Sequence, residues 1–366
     1  MKKIYYITAV FATLFLVGCG DGIDLPGVNV ETDLNKIPLP DNNVNLEQVE
    51  LKPSTKPMLH EGLHTEEDFQ RIRDKKAAGE EPWVSAYQLL VESQFSQKTA
   101  DTYPTEWIKR GVSGDENYMN AARGATIAYQ QALRWKIEQD DEYAAKAVEN
   151  LNKWVQTCVG VTGNTNLSLA AGLYGYEFAI AGELLRDYEG WDRADFAAFQ
   201  NWLLKVFYPA NDDFLKRHHD TNPLHYWANW CLCNIAAKMA IGIVTDRRDI
   251  YNEGIGHLQT GDTNGRLRRA IYHDYAPDYN FAQWQESGRD QGHTLMCVGL
   301  MGIICQLAWS QGDDFFAYDD NLFMRACEYA ACCNYTNETV PYTTYIWQKQ
   351  SQWGYPIPEA NNTWWR

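Results

Sequence analysis

Residues 295–309 read LMCVGLMGIICQLAW, and as a helix they would present apolar side chains on nearly every face. Such a helix has no polar face to turn towards water, so other helices must enclose it. The stretch therefore predicts a protein with an inner and an outer layer of helices. Antiparallel helix pairs arranged around a ring satisfy this requirement, and their connections gather at one rim to form a cleft.

Helical periodicity extends over most of the remaining chain. Beyond a first helix that is capped by Thr65 and ends at Gly79, the predicted helices cover residues 118–138, 141–158, 167–185, 194–207, 223–244, 286–311 and 322–333. Strand-like alternation is scarce, and no repeat of fixed length is visible. We predict an all-α fold over residues 58–366, an incomplete (α/α) toroid or barrel of antiparallel helix pairs. Residues 361–366 are aromatic and basic, so we expect the sequence to stop inside this domain.

The N-terminal residues carry the features of an export signal. Residues 1–18 are a basic start followed by an apolar run, and Leu16-Val17-Gly18-Cys19 reads as a lipobox, so Cys19 is predicted to carry the lipid. Residues 19–57 are rich in Asp, Asn and Pro and predict a flexible tether. We expect an exported lipoprotein in the periplasm or outer membrane of a Gram-negative bacterium, in contact with the membrane only through this anchor.

Composition limits the classes of partner. The chain has 366 residues, of which 45% are hydrophobic and 22% charged, as in proteins with a packed core. A net charge of −16 repels nucleic acid, which excludes nucleic acids as partners. The 14 Trp and 22 Tyr residues either fill the core or stack against sugar rings. The eight cysteines after Cys19 lack the spacings of metal ligands, so we predict no metal site and interpret them as buried thiols. The alternative for an exported protein is that they form one or two disulfides.

A first group of candidate residues lies in residues 222–230. Asn222 is a good helix cap and Pro223 suits the first helical position, so a helix is predicted to begin here. His225 and Asn229 are four residues apart and would share one face of that helix near the rim, with Trp230 beside them. A base next to an amide suits a site for a sugar acid; the alternative is a buried histidine that satisfies a core hydrogen bond. A solvated basic turn is predicted just before it, at Lys216, Arg217, His218 and His219.

A second group, QESGRDQGHT at residues 285–294, is dense in side chains that are costly to bury. If these residues are helical, Glu286, Arg289 and His293 fall on one face, with Gln291 next to them. Because the group directly precedes the apolar stretch at 295–309, we expect it to face the cleft. The alternative is an ion pair between Glu286 and Arg289 that merely pins the helix end.

A third group, RLRRAIYHDY at residues 266–275, places positive charge in an otherwise acidic protein. Either Tyr272 or Tyr275 could donate or accept a proton, and the alternative is an exposed surface helix. The rings of Tyr279, Phe281 and Trp284 lead into the second group and form either a sugar platform or part of the core.

These segments resemble Bacteroidetes-type proteins that carry the alginate lyase domain, which belong with the α/α-toroid polysaccharide lyases. The resemblance covers roughly residues 60–365 and rests on four segments: HTEEDF at 64–69, YWANW at 226–230, the run at 286–294, and EYA at 328–330. It implies cleavage of an acidic polysaccharide, alginate or a glucuronan-like polymer, by β-elimination, without a cofactor.

The resemblance also implies roles for individual residues. Such lyases neutralise the uronate carboxylate with an amide, Arg, Glu or His, and use His or Tyr as base and Tyr as acid. By position, Asn229 and Arg289 resemble the neutralising groups, and His225 or His293 the base. Arg268 and Tyr275 have a spacing similar to that of the Arg and Tyr in these lyases, which makes Tyr275 the expected acid. Substrate contacts are expected from Asn229, Trp230, Trp284, Glu286 and Gln291.

Two other functions fit the same residues. A glycoside hydrolase on an α/α barrel needs two carboxylates that flank the bond, and Glu286 could act with Asp274, Asp278 or Asp290. A non-catalytic glycan-binding lipoprotein would need the anchor and the aromatic residues alone. The reaction products distinguish the lyase from the hydrolase, and any depolymerisation excludes the binding protein.

Overall fold

The computed structural model of the chain describes residues 55–335, 340–343, 346–349 and 353–356. The predicted signal peptide, Cys19, nearly all of the tether and residues 361–366 lie outside this part of the chain. Helices dominate what is described, and each strand has four residues or fewer. The predicted all-α class is confirmed.

The elements follow one another in helix pairs. In chain order the helices are α1 (Glu66–Ala77), α2 (Trp83–Glu92), α3 (Tyr118–Glu138), α4 (Asp141–Thr157), α5 (Leu167–Leu184), α6 (Arg193–Val206), α7 (Tyr208–Arg217), α8 (Ala228–Val244), α9 (Arg248–Thr260), α10 (Leu267–Ala270), α11 (Gln291–Ser310) and α12 (Tyr318–Tyr335). Inner helices α3, α5, α8 and α11 pack side by side in this order, and α4, α6, α7, α9 and α12 cover them from outside. The result is the predicted incomplete toroid with two layers.

Three two-stranded sheets are attached to the helices. They are β1 (Trp107–Arg110) parallel to β2 (Gly160–Gly163), β3 (Ile271–Asp274) antiparallel to β4 (Ala282–Trp284), and β5 (Ile346–Lys349) antiparallel to β6 (Trp353–Pro356). The β3–β4 hairpin lies between α10 and α11 in the sequence and packs against α12. Its position next to the start of α11 matters for the site described below.

The inner helices are buried almost completely, as their all-round apolar sequence predicts. In α8 every residue except Trp230 is buried. Gly172 of α5 lets α5 approach α8 closely, since a Cβ atom at this position would lie 2.5 Å from Sγ of Cys233. The eight cysteines in the described residues are free thiols, and seven of them are buried, so they serve as small core residues.

Helix α11 contains the apolar stretch that predicts the fold. Its 20 residues make it long and apolar enough to cross a membrane, and no other described helix has both properties. More than half of its residues are buried within the protein, where it packs against α8 and α12. It therefore has the environment of a core helix.

Two inner helices begin later than predicted. Residues 222–227 form turns, because the Asn222 side chain accepts from Leu224 N at 2.8 Å and the Asn222 carbonyl accepts from His225 N at 2.8 Å, so α8 starts only at Ala228. Glu286 has a φ of 63°, which no right-handed helix contains, and α11 starts only at Gln291. The predicted starts at residues 223 and 286 are therefore wrong. The predicted capping box at Thr65 is confirmed.

The C-terminal ends of the inner helices meet at one end of the toroid, where the first described residues cross them. Gln311, at the end of α11, accepts from Leu59 N at 2.9 Å and donates to Glu61 O at 2.8 Å. Arg248 donates to the carbonyl oxygens of Lys56 and Pro57 at 2.9 Å. This end is thus covered, and the N-terminal ends of the inner helices form the opposite rim.

Candidate active site

Two of the predicted groups meet at the rim where α8 and α11 begin. The guanidinium carbon of Arg289 lies 4.8 Å from the centre of the Trp227 ring, directly before α8. A second contact joins the two helices themselves, because Nδ2 of Asn229 in α8 lies 3.7 Å from Sδ of Met296 in α11. The stretch at 222–230 and the stretch at 285–294 therefore form one site, although neither uses the helical face that the sequence predicts.

Glu286 is the buried centre of this site. Its side chain is 1% exposed, and Oε1 accepts from Nη1 of Arg289 at 2.8 Å. The left-handed backbone at Glu286 and the glycine with φ 77° at residue 288 make the turn that brings Arg289 back over this carboxylate. The Arg289 side chain is 34% exposed, and its remaining N–H groups bind no other described residue, so they can receive an anionic ligand.

His293 contacts two carboxylates through the same ring nitrogen. Its Nδ1 lies 3.0 Å from Oδ2 of Asp290 and 3.2 Å from Oε2 of Glu286. Two ionised carboxylates beside Nδ1 favour a proton on this nitrogen, with Nε2 as the basic nitrogen of the neutral ring. Hydrogen bonding to His293 lowers the pKa of Asp290 to about 2, so Asp290 stays ionised. An imidazole oriented in this way has the form of a general base.

Two buried amides next to this cluster are incompletely satisfied. Asn229 is 1% exposed and Gln291 is 4% exposed, and the side-chain oxygen of each has no hydrogen-bond partner among the described residues. Buried polar atoms are nearly always paired, so each of these oxygens has hydrogen-bonding capacity that no described residue uses. The substrate contacts at Asn229, Glu286 and Gln291 stay predictions.

His225 does not share a helical face with Asn229, contrary to the prediction, because it lies in the turn before α8. Its ring packs edge-on against Tyr226, with centroids 4.7 Å apart. Trp230 is partly buried and packs against the other side of Tyr226 at 4.7 Å. His225 remains within about 7 Å of Trp227 along the chain, and hence near Arg289.

Tyr275 lies apart from the cluster around Glu286. Its hydroxyl lies 2.6 Å from Oε1 of Gln283 and 3.0 Å from Oγ1 of Thr343, and its ring stacks on Tyr329 with centroids 6.2 Å apart. No described contact connects Tyr275 with Glu286, Arg289 or His293. The structure therefore does not bring the expected acid together with the other predicted residues.

Tyr272 lies nearer to the cluster along the same hairpin. The ladder pairs Ile271 with Trp284 and His273 with Gln283, so Tyr272 is the extra residue of a β-bulge. Bulges often redirect a side chain next to an active site. Burial raises the pKa of Tyr272 to about 12, so its hydroxyl is protonated at neutral pH.

Trp284 is not a sugar platform, and this prediction is corrected. Its side chain is fully buried, its Nε1 donates to Ala326 O at 2.9 Å, and its ring packs edge-on against Phe323. Because β4 packs flat on α12, this face of the strand belongs to the core. A side chain without exposed surface cannot stack on a substrate.

Arg268, whose spacing from Tyr275 resembles that of the lyases, takes part in an ion-pair network. It forms an ion pair with Asp319 at the start of α12, and its Nη1 lies 3.6 Å from Oδ2 of Asp274. Asp274 in turn accepts from Arg325 at 2.7 Å. This network fixes the hairpin to α12 and leaves neither Arg268 nor Asp274 free for chemistry.

The sequence predicts a solvated basic turn at residues 216–219, and only the first two of these residues are exposed. Lys216 and Arg217 are exposed. His218 is 2% exposed and stacks on Phe214 with centroids 4.6 Å apart, and His219 Nε2 lies 3.0 Å from Oγ of Ser168. The histidines therefore pack against the protein. Within the described residues no group of three His, Cys, Asp or Glu side chains is arranged to hold a metal ion.

A cavity of about 280 Å³ lies far from this cluster, at the covered end of the toroid. His64, whose Nε2 lies 2.6 Å from the Tyr129 hydroxyl, lines it together with Lys136 and Glu183 near the ends of α3 and α5. It thus lies at the opposite end of the inner helices from the candidate site. Trp227 is the site residue that sequence reasoning missed, although it lies inside the YWANW segment.

Comparison with known proteins agrees with the fold. Alginate lyase A1-III from Sphingomonas species A1 matches with a TM-score of 0.54 and 14% identity over 76% of this chain and 80% of that one. A variant of A1-III complexed with a tetrasaccharide gives a TM-score of 0.56 and 14% identity, over 75% and 79%. An alginate lyase from Bacteroides ovatus gives a TM-score of 0.49 and 13% identity, over 73% and 81%. No curated protein sequence matches the chain significantly.

The sequence itself matches a protein family. The family model described as alginate lyase covers residues 72–338, which is more than two thirds of the chain and includes every residue of the cluster around Glu286. The protein therefore belongs to the alginate lyase family of carbon–oxygen lyases that act on polysaccharides.

Proposed function

We propose that the protein cleaves a uronic-acid-containing polysaccharide, alginate or a glucuronan-like polymer, by β-elimination. The observation that carries this proposal is the buried Glu286 carboxylate, which contacts both Arg289 and His293. This carboxylate holds the partly exposed guanidinium of Arg289 near the imidazole of His293. These are the two groups needed to stabilise a carboxylate and to remove the proton beside it.

The reaction begins at C5 of the uronate, whose proton is a very weak acid. Fixed donors must therefore stabilise the negative charge that develops on the carboxylate, and the remaining N–H groups of Arg289 and the amide of Asn229 fill this role. The base takes the C5 proton, and the electron pair forms the C4–C5 double bond. The C4–O bond breaks, and an acid protonates the leaving oxygen.

His293 is the better supported base. The carboxylates of Asp290 and Glu286 lie 3.0 and 3.2 Å from its Nδ1, which favours Nε2 as the basic nitrogen. The Asp290 and Glu286 charges also stabilise the imidazolium that forms when the ring takes a proton. His225 is the second candidate, because it lies two residues from the Trp227 ring on which Arg289 rests.

The acid is one of two tyrosines on the hairpin. Burial raises the pKa of Tyr272 and of Tyr275 to about 12, so both carry the proton that the leaving oxygen needs. The β-bulge at Tyr272 and its position closer to Gln285 favour Tyr272, while Tyr275 already bonds to Gln283 and Thr343. Tyr275, the acid that the resemblance implies, and Tyr272, the other tyrosine that the sequence offers, are therefore both candidates for the acid.

A polyanionic substrate needs local positive charge in a chain of net charge −16. Arg269 supplies some of it, since it forms no ion pair in the described part of the chain, and burial together with neighbouring Arg266 lowers its pKa. Gln285 N bonds to Ala270 O at 2.9 Å, so the backbone next to Arg269 lies beside the segment that leads into Glu286. The tetrasaccharide bound by A1-III is consistent with a cleft for several sugar units.

A hydrolase is the second candidate, with Glu286 and Asp290 as the carboxylate pair. Hydrolysis needs one carboxylic acid with a raised pKa to protonate the leaving group. The pKa of Asp290 is lowered instead, and both carboxylates contact the same imidazole nitrogen rather than opposite sides of a substrate. These contacts favour the lyase.

The polymer can be identified with a substrate panel. Purified protein is incubated with alginate, glucuronan, glycosaminoglycans and a neutral glucan, and ultraviolet absorbance is recorded as the conjugated C4–C5 double bond forms. We expect absorbance to rise with at least one uronate polymer and not with the neutral glucan. No rise with any uronate polymer, for a folded protein, would refute the proposal.

A further inference from the structure

A pair of buried amide side chains connects the two halves of the candidate site. Gln285 Nε2 donates to Oδ1 of Asn264 at 2.9 Å, and the two residues are 6% and 5% exposed. Asn264 Nδ2 donates to the carbonyl oxygens of Leu224 at 3.0 Å and Tyr226 at 2.8 Å. We call Asn264 and Gln285 the amide brace.

The amide brace also caps an inner helix. The first N–H groups of a helix have no partner within it, and α8 has no side-chain cap from its own N-terminal residue, Trp227. Gln285 Oε1 fills this role from a distant part of the chain, because it accepts from Ala228 N at 3.2 Å. The bonds to residues 224, 226 and 228 hold the backbone on both sides of His225 and Trp227.

The other end of the amide brace leads directly to the charged groups. Gln285 immediately precedes Glu286, and its own backbone N–H is fixed to Ala270 O of α10 at 2.9 Å. One side chain therefore links the turn that carries His225 and Trp227 to the turn that carries Glu286 and Arg289. Residues 221–227 lie in neither a helix nor a strand, so regular backbone hydrogen bonds do not fix their position. The bonds from Asn264 satisfy two backbone carbonyls of this segment instead, and the bond from Gln285 satisfies the N–H of Ala228 directly after it.

We propose that Asn264 and Gln285 are positioning residues that set the distance between His225 and Trp227 on one side and Glu286 and Arg289 on the other. The proposal rests on the lyase function proposed above. Elimination requires the base, His293, and the carboxylate-stabilising donors Arg289 and Asn229 to act on adjacent atoms, and Asn229 lies in α8, whose start the amide brace holds. A displacement of about 1 Å can lower a rate about a hundredfold. Loosening the amide brace should therefore lower kcat while KM changes little.

Isosteric substitutions break the amide brace at one end each. Asn264→Asp keeps the oxygen that accepts from Gln285 but replaces the donor to the carbonyls of Leu224 and Tyr226 with a second acceptor. Gln285→Glu keeps the acceptor for Ala228 N and loses the donor to Asn264. Gln285→Met removes the side-chain bonds to both Asn264 and Ala228 N at nearly constant volume. It replaces Gln285→Glu in the test if the buried charge of that variant prevents folding.

The chain contains a matched control for these variants. Asn150 donates to Gln131 Oε1 at 3.0 Å, both side chains are fully buried, and Asn150 Oδ1 accepts from Thr102 N at 3.1 Å. Gln131 donates to the carbonyls of Gln97 at 2.9 Å and Ala100 at 3.1 Å. This pair also fixes a loop to two helices, but no described contact connects it with the candidate site. Asn150→Asp and Gln131→Glu therefore cost stability without touching the chemistry.

The test compares kcat, KM, melting temperature and hydrogen exchange of residues 222–230 for wild type and all variants. We expect Asn264→Asp and Gln285→Glu to lower kcat about tenfold or more, with KM within about threefold, and to speed exchange in residues 222–230. Asn150→Asp and Gln131→Glu, at a similar loss of melting temperature, should keep kcat within about twofold.

Two results would overturn the positioning role. One is a wild-type kcat in folded variants of the amide brace whose residues 222–230 exchange faster. The other is an equal loss of kcat in the control pair, which would make the effect one of general stability. If the wild-type protein has no lyase activity, the proposed function is refuted. The positioning role of the amide brace, which rests on that function, is then refuted too.

Discussion

Arg289 rests on the face of Trp227, with its guanidinium carbon 4.8 Å from the ring centre. A cation over an indole face gains about 0.5 to 2 kcal/mol, depending on how far it is removed from water. This contact and the ion pair with Glu286 both hold Arg289, while 34% of its side chain stays exposed. The arginine is thus fixed before any ligand arrives, as electrostatic catalysis requires.

Replacing Arg289 tests its role as the carboxylate-stabilising donor. Arg289→Lys keeps a positive charge near buried Glu286 but loses the fork that binds a carboxylate through two N–H groups. We expect kcat to fall about a hundredfold or more, with the melting temperature within a few degrees of wild type. Arg217→Lys is the control, because Arg217 is exposed and its ion-pair partners among the described residues are Asp213 and Asp220. Full activity in Arg289→Lys would remove this residue from the mechanism.

The identity of the acid is decided by two conservative substitutions. Tyr272→Phe and Tyr275→Phe each remove one hydroxyl and leave the ring in the hairpin. The tyrosine that protonates the leaving oxygen should lose activity about a hundredfold or more, while the other should lose little. Steady-state kinetics on the best polymer provide the measurement. Near-normal activity in both variants would mean that neither tyrosine is the acid.

Asp290 should make stability depend on pH in acid. Its pKa is lowered to about 2 in the folded protein, chiefly by hydrogen bonding to His293. The contribution of Asp290 to the free energy of unfolding is therefore complete above the ordinary pKa near 3.8 and disappears as pH falls through about 2. Asp290→Asn keeps the cap on His293 N and removes the charge. We expect the free energy of unfolding of wild type to exceed that of this variant by about 1 kcal/mol at neutral pH. The difference is small because solvent screens a half-exposed carboxyl.

Chemical unfolding at pH values between 7 and 2 provides the measurement for Asp290. The difference in free energy of unfolding between wild type and Asp290→Asn should shrink towards zero as pH falls from about 5 to about 2. A difference that grows over this range would have the wrong sign and would contradict the lowered pKa of Asp290.

The lipid anchor remains a proposal that rests on the sequence alone. If Cys19 receives lipid, Cys19→Ser should abolish incorporation of labelled fatty acid and move the protein from the membrane fraction to the soluble one. Protein found in the cytoplasm with Met1 retained would contradict export.

Much of the fold can be predicted because inner helices bury every face. Periodicity places α3 at residues 118–138 as observed, and the all-round apolar stretch at 295–309 correctly indicates two layers. Helix starts at the rim are harder to predict. Asn222 and Pro223 have the residue types of a helix start, but the Asn222 side chain bonds locally to Leu224 N and makes a turn instead.

The composition of the site is visible in the sequence, but its geometry is not. Glu286, Arg289 and His293 do meet, yet through a left-handed turn that helical spacing cannot describe. Trp284 has the residue type of a sugar platform, and only the packing of β4 on α12 shows that it belongs to the core. Contacts between distant segments, such as Gln285 with Ala228, leave no periodic signal at all.

The central claim is elimination at the cluster around Glu286, and the ratio of two products tests it most directly. Each β-elimination event creates one reducing end and one C4–C5 double bond, so both can be counted during digestion of the best uronate polymer. We predict a ratio of about one to one throughout the reaction in wild type, and neither product with Arg289→Ala. Reducing ends that accumulate without ultraviolet absorbance would establish hydrolysis and contradict the account.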